Sequence, residues 1–507
     1  MTNEVRVRFA PSPTGGLHLG GVRTVLYNYL FAKHNNGKFI LRIEDTDQTR
    51  FVEGAEDYIF NCLDWCGLTP DESVRHGGDY GPYKQSERKE IYRPYAEQLI
   101  AEGNAYYAFD TPEELEAMRN KLRSKENPNP QYDRHTRMQM RNSLSLPKEE
   151  VNELIKNGTP HVVRIKVPEN ETVRFTDMIR GDIAHDTNVV DDKVILKGDG
   201  MPTYHLAVVV DDYLMKITHA FRGEEWLPSA PIHILLWKYL GWEDAMPKWA
   251  HLPLILKPDG NGKLSKRDGE RLGFPVFAMN WGSKEKGDFS EGFKEKGFLP
   301  EAFVNILAVL GWNDGTEQEL FSMEELIEKF STDRIHKGGA KFDYEKAKWY
   351  NQQYILKSDN HILAQLVKPY FVEQGITVDE DYLTKVVALV KERCHLLTDF
   401  WQQAHFFFKN PETVDVETIK SKWSDDHTNF FNSWLAQIDN IKQWDAGSIE
   451  ENFSEMATSL NIKKGSLMLP LRIMLVGGKY GPGVFEIAEY IGLEATKGRI
   501  EATISNL

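Results

Sequence analysis

The order of strand-like and helix-like segments in residues 1–43 limits the fold more than any other feature of the chain. Residues 5–9 (VRVRF) alternate with a period of two, as a half-buried strand does. Residues 17–34 carry apolar side chains at helical spacing, and residues 39–43 (FILRI) are a second strand-like run. Two strands joined by a helix form a βαβ unit, which has parallel strands and a right-handed crossover. We therefore predict an α/β domain built on a parallel sheet.

The 507-residue chain is longer than one hydrophobic core usually organises, so we expect several parts. Residues 83–190 are mostly polar and helical in pattern, which predicts an insertion into the sheet domain. Strand-like apolar runs return at 194–215 and 250–256, and helical periodicity dominates after residue 299. The predicted parts are a sheet domain at 1–83 and 190–256, an inserted domain at 84–189, a basic loop with a helical region at 257–345, and an all-helical region at 346–507.

The charge balance restricts the partners that the chain can bind. The formal net charge is −15, whereas a general binder of nucleic-acid backbones is usually basic, so any such binding has to come from local patches. Residues 257–271 form one patch, with five positive side chains against three acids. No run approaches the roughly 20 apolar residues that span a bilayer, and no signal peptide is evident. We therefore expect a cytoplasmic protein without membrane contact, and three reduced, structural cysteines.

The segment PSPTGGLHLGG, residues 11–21, joins the first strand to the first helix. Gly20 and Gly21 each cost a helix about 1 kcal/mol relative to alanine, and they leave room for a ligand or for another backbone. The first turn of a helix offers unpaired N–H groups that suit a phosphate, and His18 adds a donor there. The segment matches neither the Walker pattern nor Gly-x-Gly-x-x-Gly. Taken alone, it is also compatible with a plain turn and a core-packed His18.

A second segment, KLSKR at 263–267, carries two lysines three positions apart and a hydroxyl group. The flanking Gly260, Gly262 and Gly269 permit movement, so the loop could close over a polyphosphate, where lysine acts as a point charge. A solvated charge run is the alternative interpretation.

Together the two segments resemble the paired signatures of class I aminoacyl-tRNA synthetases, known by the strings HIGH and KMSKS. Here they read His18-Leu19-Gly20-Gly21 and Lys263-Leu264-Ser265-Lys266-Arg267. The stretches RFAPSPTG, RIEDTD, GPYKQSER, DGMPTYHLAVVVDD, RGEEWL and LSKRDG look like bacterial glutamyl-tRNA synthetases, in that family's order and along essentially the whole chain. The related glutaminyl enzymes carry Pro-Glu-Pro-Asn-Gly in the first loop and end in β-barrels. The present loop, Pro-Ser-Pro-Thr-Gly, and the helical C-terminal part favour the glutamyl branch.

The resemblance implies an ATP-dependent ligase with a two-step reaction. L-Glutamate would be activated to glutamyl-adenylate and then transferred to the 3′-terminal ribose of tRNA(Glu), with Mg²⁺ carried by the ATP. In the same way, the resemblance implies a Rossmann-like catalytic domain, an acceptor-stem-binding domain at 84–189, a stem-contact region at 257–345, and all-α anticodon-binding domains at 346–507. It also implies a cytoplasmic monomer.

The resemblance assigns roles residue by residue. His18, Lys263 and Lys266 would be catalytic, because charge gathers at the α-phosphate in the transition state. In the amino-acid site, Arg8 and Tyr204 would bind the side-chain carboxylate, Arg222 the α-carboxylate, and Ser12 and Glu44 the amino group. The ATP site would comprise Ala10, His18, Gly20, Gly21, Glu225, Trp226, Leu254, Ile255, Lys263, Ser265 and Lys266. Arg393 and Arg472 would contact the tRNA near its anticodon.

Two acidic pairs could suggest a bound metal, Asp45 with Asp47 and Asp211 with Asp212. We favour capping and structural hydrogen bonds for both pairs, because ATP phosphates and water can carry the magnesium. Some members of the resembled family hold zinc through a Cys-x-Cys pair in the insertion. The corresponding residues 106–109 read YYAF, with only His135 and His161 nearby, so we predict no zinc and no resident metal.

Three alternatives stay open at this point. The enzyme could also charge tRNA(Gln), it could be a small-molecule adenylate-forming or nucleotidyl-transfer enzyme of the same fold, or it could be a catalytically silent tRNA-binding relative. The helical region after residue 299 opposes the second, and the presence of His18, Lys266, Arg8 and Arg222 opposes the third. The string KEKG occurs at 284–287 and at 294–297, and the sequence assigns it no role.

Overall fold

A computed structural model describes residues 4–421 and 423–507 of the chain. The chain divides into two compact units. The first runs to Phe293 and includes Phe303–Asp343, and the second comprises Lys294–Ala302 and Tyr344–Leu507.

All strands of the described residues lie in the first unit, whereas helices occur in both units. The strands are β1 (Arg6–Phe9), β2 (Lys38–Leu41), β3 (Ala105–Ala108), β4 (Val162–Ile165), β5 (Thr172–Asp177), β6 (Gly181–Asp186), β7 (Val194–Leu196), β8 (His219–Gly223), β9 (Lys248–Leu252), β10 (Ile255–Leu256) and β11 (Ala340–Lys341). The helices are α1 (Leu19–His34), α2 (Ala55–Trp65), α3 (Lys89–Ala101), α4 (Pro112–Leu122), α5 (Lys148–Lys156), α6 (Tyr204–Leu214), α7 (Ala230–Tyr239), α8 (Lys266–Leu272), α9 (Pro300–Val309), α10 (Met323–Lys329), α11 (Tyr344–Lys357), α12 (Asn360–Val372), α13 (Glu380–Val390), α14 (Asp399–Ala404), α15 (Val416–Lys420), α16 (Asp425–Gln437), α17 (Ala446–Ser459), α18 (Lys464–Val476), α19 (Val484–Ile491) and α20 (Leu493–Ile504).

A six-stranded sheet in the order β2-β1-β8-β9-β5-β6 organises the first unit. Neighbouring strands are parallel except for β5 and β6, which form an antiparallel hairpin. The strand–helix–strand order β1-α1-β2 confirms the predicted βαβ unit, with Arg6 opposite Lys38 and Phe9 opposite Leu41. From β1 the chain passes to β2 on one side and later returns to β8 on the other. This reversal of direction leaves a crevice at the carboxyl ends of β1 and β8.

A second, three-stranded sheet in the order β3-β4-β7 shares one apolar core with part of the central sheet. Side chains of α3, α6 and α7 fill the space between them, among them the fully buried Tyr92, Leu206 and Trp237. A two-stranded parallel pair, β10 with β11, lies elsewhere in the first unit.

The prediction that residues 83–190 are mostly helical is wrong, because the segment contains β3, β4, β5 and β6. These strands are only four to six residues long, and β5 (TVRFTD) alternates exposed and buried positions in a polar context. The predicted boundary at 189/190 also does not follow the sheets. The strands β5 and β6 belong to the central sheet, whereas β7 pairs with β4 in the second sheet. The remaining predicted boundaries stay predictions.

The strand-like interpretation of residues 194–215 is wrong for most of its length. After the short strand β7, residues 204–214 form helix α6, although Val208, Val209 and Val210 are strand-favouring residues. This helix is buried on nearly all sides, so its sequence has no polar face to reveal a helical period. Burial in the core outweighs intrinsic propensity here.

The second unit consists of helices in its described residues, from α11 to α20, which confirms the predicted all-helical C-terminal part. Its core joins Phe371, Phe400, Phe430, Trp434 and Phe453, all fully buried.

Candidate active site

A cavity of about 680 Å³ opens at the carboxyl ends of β1, β8 and β9, beside the first turn of α1. Ligands of open parallel sheets bind at this edge, where the strand order reverses. Almost all of the predicted site residues of the first unit line this cavity. They are Arg8, Ala10, Ser12, His18, Gly20, Gly21, Glu44, Tyr204, Arg222, Glu225, Trp226, Leu254, Ile255, Lys263 and Ser265.

His18 caps the N-terminus of α1, and its Nδ1 accepts a hydrogen bond from Gly20 N–H at 3.4 Å. An accepting Nδ1 places the ring proton of neutral His18 on Nε2. Nε2 is buried and has no hydrogen-bond partner among the described residues. Burial lowers the pKa of His18 to about 4, and the charge of Lys263 acts in the same direction. At neutral pH, His18 is therefore an uncharged donor at the cavity wall.

The two glycines that follow His18 differ in what surrounds them. A Cβ added to Gly20 would meet no atom within 4 Å, so this position faces open cavity. A Cβ on Gly21 would lie 2.6 Å from Leu17 Cδ1, so the end of the Leu17 side chain would have to move to make room for it. Both glycines line the cavity, and Gly20 has the more open surroundings.

Arg8 is buried at the end of β1 and forms a paired hydrogen bond with Asp212, from Nε to Oδ1 and from Nη2 to Oδ2, both at 3.1 Å. A third N–H, on Nη1, points to the carbonyl oxygen of Phe221 at 3.4 Å. A guanidinium has five N–H donors, so two remain for a ligand in the cavity that Arg8 lines.

Arg222 lies at the end of β8, and its donors are also partly used. Nε donates to His251 Nε2 at 2.9 Å, and Nη1 lies 3.1 Å from both the Tyr204 hydroxyl oxygen and His233 Nδ1. Its Nη2 is buried and has no hydrogen-bond partner in the described part of the chain. Burial lowers the pKa of Arg222, because charge is costly there. A buried cationic donor without a partner is costly, so Nη2 fits a ligand acceptor such as a carboxylate.

Glu44 faces the same cavity from the segment after β2. Its Oε1 accepts hydrogen bonds from Arg42 Nη2 at 2.9 Å and from Gln85 Nε2 at 3.4 Å. The backbone N–H of Glu44 donates to Pro11 O at 2.9 Å, which holds it beside the loop that carries Ser12. Burial raises the pKa of Glu44, although Arg42 opposes this effect. A ligand ammonium near Oε2 would stabilise the charged carboxylate.

A buried polar network behind the cavity was missed by the sequence analysis. Arg42 is fully buried and bridges Asp212 Oδ1 and Glu44 Oε1, each at 2.9 Å. Asp211 accepts hydrogen bonds from Arg88 Nε at 2.7 Å and from Gln85 Nε2 at 2.9 Å. The available signal was an arginine in the apolar run FILRI and two acids directly after AVVV, because buried charges require partners.

The acidic pairs that could have suggested a metal have other partners. Arginines surround Asp211 and Asp212, Asp45 accepts a hydrogen bond from Ser86 N–H at 2.8 Å, and Asp47 pairs with Arg50 at 2.6 Å. Within residues 4–421 and 423–507, no three His, Cys, Asp or Glu side chains are arranged to hold a metal ion.

The two signature lysines lie in different places. Lys263 lines the cavity and pairs with Glu225 Oε1 at 2.6 Å. Lys266 is not part of the cavity lining, which differs from its predicted place in the ATP site. It is the first residue of α8, and its Nζ donates to the carbonyl oxygen of Asp288 at 2.7 Å. The hydroxyl of Ser265 donates to Asp268 at 2.6 Å and caps the same helix.

The segment 277–292, whose Asp288 carbonyl oxygen accepts the hydrogen bond from Lys266, also contacts the first signature loop. Trp281 packs on Gly16 so closely that a Cβ on Gly16 would lie 2.6 Å from Trp281 Cγ. Trp281 also packs edge-on against Tyr58, whose hydroxyl donates to Met279 O at 2.6 Å. The segment 277–292, which includes the first KEKG string, thus connects the two signature loops.

Several cavity residues were not predicted. Arg23 of α1 donates to the carbonyl oxygens of Leu310, at 2.8 Å, and Pro253, and so fixes the backbone next to Leu254. Arg50 also lines the cavity. Trp226, which the sequence analysis did predict for the ATP site, is 44% exposed, and its ring centroid lies 4.8 Å from that of Tyr204. The mixture of an exposed aromatic ring and fixed backbone suits a flat nucleoside.

The two predicted tRNA contacts lie in the second unit. Arg472 of α18 donates through Nη1 to the carbonyl oxygens of residues 480–482 at 2.7–3.1 Å. Burial lowers the pKa of Arg472, and the charge of Arg393 adds to the effect, so the two cations lie near each other. Arg393 is exposed at the end of a short 3-10 helix, Lys391–Arg393.

None of the described helices is long and apolar enough to cross a bilayer.

Comparison with known proteins defines the class to which this fold and site belong. Residues 4–349 match the family model "tRNA synthetases class I (E and Q), catalytic domain", and residues 362–504 match "Anticodon binding domain". The chain belongs to the class I tRNA synthetases of the E and Q type.

The similar proteins described next are all named as ligases or synthetases for glutamate and its tRNA. The chain is 52% identical to the glutamate–tRNA ligase of Christiangramia forsetii over 100% of both chains, and 51% identical to that of Porphyromonas gingivalis over 100% of this chain and 99% of the relative. A crystal structure of a glutamate tRNA ligase from Elizabethkingia meningosepticum, in complex with its amino acid, is 47% identical and covers 100% of both chains with a TM-score of 0.96. The glutamate-tRNA synthetase of Elizabethkingia anophelis is 46% identical, with a TM-score of 0.93 over 99% of this chain and 100% of that one.

Proposed function

We propose that the protein is a glutamate–tRNA ligase, which uses ATP to join L-glutamate to tRNA(Glu) and releases AMP and pyrophosphate. One observation carries the proposal. Two buried arginines, Arg8 and Arg222, line one cavity with unused N–H donors, and the carboxylate of Glu44 faces the same space. Glutamate has two carboxylates and one ammonium, which match these three groups in charge.

In this proposal each charged group of glutamate has its own partner. Arg8 and the Tyr204 hydroxyl bind the side-chain carboxylate, and Arg222 binds the α-carboxylate through its unpaired Nη2. Ser12 and Glu44 bind the ammonium. Glutamine would place an uncharged amide against Arg8, so the site favours glutamate.

The ATP phosphates lie at the first turn of α1. A carboxylate oxygen of glutamate attacks the α-phosphorus, the bond to the bridging oxygen breaks, and pyrophosphate leaves. His18 donates from Nε2 to the phosphate oxygens, and Lys263 and Lys266 add positive charge, so the developing negative charge is stabilised. Lys263 has to leave Glu225 and Lys266 has to leave Asp288 O before they reach the phosphates. The adenine and ribose lie against Trp226, Glu225, Leu254 and Ile255, and magnesium enters with the ATP.

In the second step, the terminal ribose hydroxyl of the tRNA attacks the activated carbonyl and AMP leaves. Arg393 and Arg472 contact the anticodon region, which supplies local positive charge in a chain of net charge −15. We also infer a monomer that acts in the cytoplasm, where tRNA is charged.

Charging of two transcripts, tRNA(Glu) and tRNA(Gln), with radiolabelled glutamate tests the proposal. We expect tRNA(Glu) to be charged in an ATP-dependent reaction, with glutamine in place of glutamate as the negative control. Failure to charge tRNA(Glu), with glutamate-dependent ATP–pyrophosphate exchange at background in the presence of tRNA, would overturn the proposal. Charging of tRNA(Gln) as well would identify an enzyme that does not discriminate between the two.

A further inference from the structure

Asp177, His251 and Arg222 form a row of hydrogen bonds behind the cavity wall. They come from three neighbouring strands, β5, β9 and β8, and all three side chains are buried. Asp177 Oδ2 lies 2.6 Å from His251 Nδ1, and His251 Nε2 lies 2.9 Å from Arg222 Nε. Neither Asp177 nor His251 lines the cavity, so neither is placed to touch a substrate.

The chemistry of the three groups fixes where the proton of His251 lies. Arg222 Nε always carries a hydrogen, so His251 Nε2 has to accept. The proton of the neutral ring is therefore on Nδ1 and is donated to Asp177. Burial lowers the pKa of His251, which keeps the ring neutral.

The carboxylate of Asp177 is itself held by the backbone. Its Oδ1 accepts from the N–H groups of Ile179 and Arg180, both at 3.0 Å, and its Oδ2 accepts from His251 N–H at 3.1 Å. This geometry leaves Oδ2 as the only side of the carboxylate that faces the ring of His251 in the described chain. If a hydrogen-bond donor replaced Oδ2 of Asp177, the proton of His251 would have to move to Nε2. The N–H of His251 Nε2 would then face the N–H of Arg222 Nε.

The other groups in direct contact with Arg222 are uncharged, and the nearest charges that act on its pKa are those of Arg8, which lowers it, and Asp212, which raises it. His233 Nδ1 lies 3.1 Å from Nη1, and the guanidinium carbon lies 4.5 Å from the ring centroid of Trp249. Burial lowers the pKa of His233 well below its usual value, so this ring is neutral as well. Arg222 forms no ion pair with the described residues, and the position of its free Nη2 depends on neutral acceptors.

We propose that His251 and Asp177 are positioning residues for the amino-acid substrate, because they fix the rotation of the Arg222 guanidinium and so aim its unpaired Nη2 into the cavity. The inference rests on the proposed binding of a glutamate carboxylate by Arg222. It adds two residues that determine affinity for glutamate without touching it.

The first test is Asp177→Asn, which conserves size. Because the backbone N–H groups of Ile179 and Arg180 retain the amide oxygen, the amide NH₂ faces His251 Nδ1 and drives the wrong tautomer. We expect the KM for glutamate to rise about tenfold, with the KM for ATP and kcat within twofold, in charging assays with tRNA(Glu). His219→Leu, at the opposite end of β8 from Arg222, is the matched control and should leave all three values unchanged.

The second test uses His251→Leu and His251→Gln. Leucine removes the acceptor and should raise the KM for glutamate about tenfold, whereas the glutamine side-chain oxygen can accept from Arg222 and should keep the KM within about threefold. In His251→Leu, the further change Asp177→Asn should have little additional effect, because the acceptor that faces Arg222 is already lost. This non-additivity is not expected from two independent structural defects. Circular dichroism and thermal unfolding identify any variant that does not fold. If His251→Leu is such a variant, the comparison of the KM for glutamate between His251→Gln and Asp177→Asn carries the test.

Arg222→Gln separates failure of this inference from failure of the proposed function. If Arg222→Gln leaves the KM for glutamate unchanged, the proposed carboxylate site is wrong and the inference falls with it. If Arg222→Gln raises that KM while Asp177→Asn and His251→Leu do not, only the positioning role is overturned. Equal rises in the KM for glutamate and for ATP would also contradict the positioning role.

Discussion

Arg8 lines the cavity and is paired with Asp212, which lies behind the cavity wall, with Nε and Nη2 of Arg8 each 3.1 Å from a different oxygen of Asp212. The same carboxylate accepts from Arg42 Nη1 at 2.9 Å. One buried acid therefore fixes two arginines, one of which we propose to bind the substrate. Asp212 does not line the cavity, but it affects what the cavity binds because it holds the Arg8 guanidinium in place.

Asp212→Asn should destabilise the protein and weaken glutamate binding together. The change leaves two buried guanidinium groups without their shared charge, and breaking a buried pair costs about 3–5 kcal/mol. We expect a lower urea midpoint and a raised KM for glutamate. Burial opposes the charge of Asp212, but Arg8 and Arg42 outweigh it and lower its pKa, so this stabilisation is present at neutral pH and is lost as the pH falls below about 4. Asp244→Asn, at an exposed position, should change neither quantity.

His18 should make stability depend on pH in a defined window. Burial lowers its pKa to about 4, whereas the unfolded chain binds a proton at about pH 6.5. Between these values only the unfolded chain is protonated at His18, so lowering the pH favours unfolding. Relative to His18→Gln, the wild type should lose about 2 kcal/mol more between pH 7.5 and pH 5 in urea unfolding. Equal losses in the two proteins would show that His18 is not buried in its neutral form.

Lys266→Ala should slow formation of glutamyl-adenylate by orders of magnitude while tRNA binding stays nearly unchanged. The structure places its ammonium on Asp288 O, next to the cavity but outside its lining, from where a loop movement can bring it to the phosphates. Rapid-quench measurement of the activation step separates this effect from binding. Lys286→Ala, an exposed lysine of the same region, is the control. Unchanged activation in Lys266→Ala would remove this lysine from the reaction.

Gly16→Ala should disturb the site through Trp281. The added Cβ would lie 2.6 Å from Trp281 Cγ, so the first signature loop or the segment 277–292 has to shift. We expect kcat/KM in the charging reaction to fall about tenfold, because small displacements of positioning groups reduce rates strongly. The double change Gly16→Ala with Trp281→Leu should recover part of the loss, since the smaller side chain makes room. A double variant no better than the single one would show that the contact does not connect the loops.

Arg393→Ala and Arg472→Ala should both weaken tRNA(Glu) binding without changing the KM for glutamate or ATP. Each loss of a phosphate contact should also reduce the dependence of log affinity on log salt by about one. Only Arg472→Ala should in addition lower the thermal stability, because Arg472 holds the carbonyl oxygens of residues 480–482. Filter binding at two or more salt concentrations and thermal unfolding measure these effects.

The sequence predicted the elements whose local pattern is unambiguous. The helix α1 and the strands β1 and β2 were predicted because a polar–apolar period and a breaking glycine mark them, and the all-helical second unit was predicted from its periodicity. The sequence failed at α6, where an all-apolar valine run has no visible period, and at β5, a short strand in a polar context. In both places, contacts with distant strands decide the structure.

The residue types of the site were recognisable in the sequence by their motifs, which are local and read directly from neighbouring residues. His18 with its glycines, Arg8, Glu44, Tyr204, Arg222 and Lys263 could be named in this way, and the fold places all of them at one cavity. Only the tertiary structure shows what holds them, because a buried charge is positioned by partners far away in the chain. Asp212 meets Arg8 across 204 residues, and His251 meets Arg222 from the neighbouring strand. The motifs therefore determined which groups the protein offers a ligand, and the packing of three strands and one buried helix decided where those groups point.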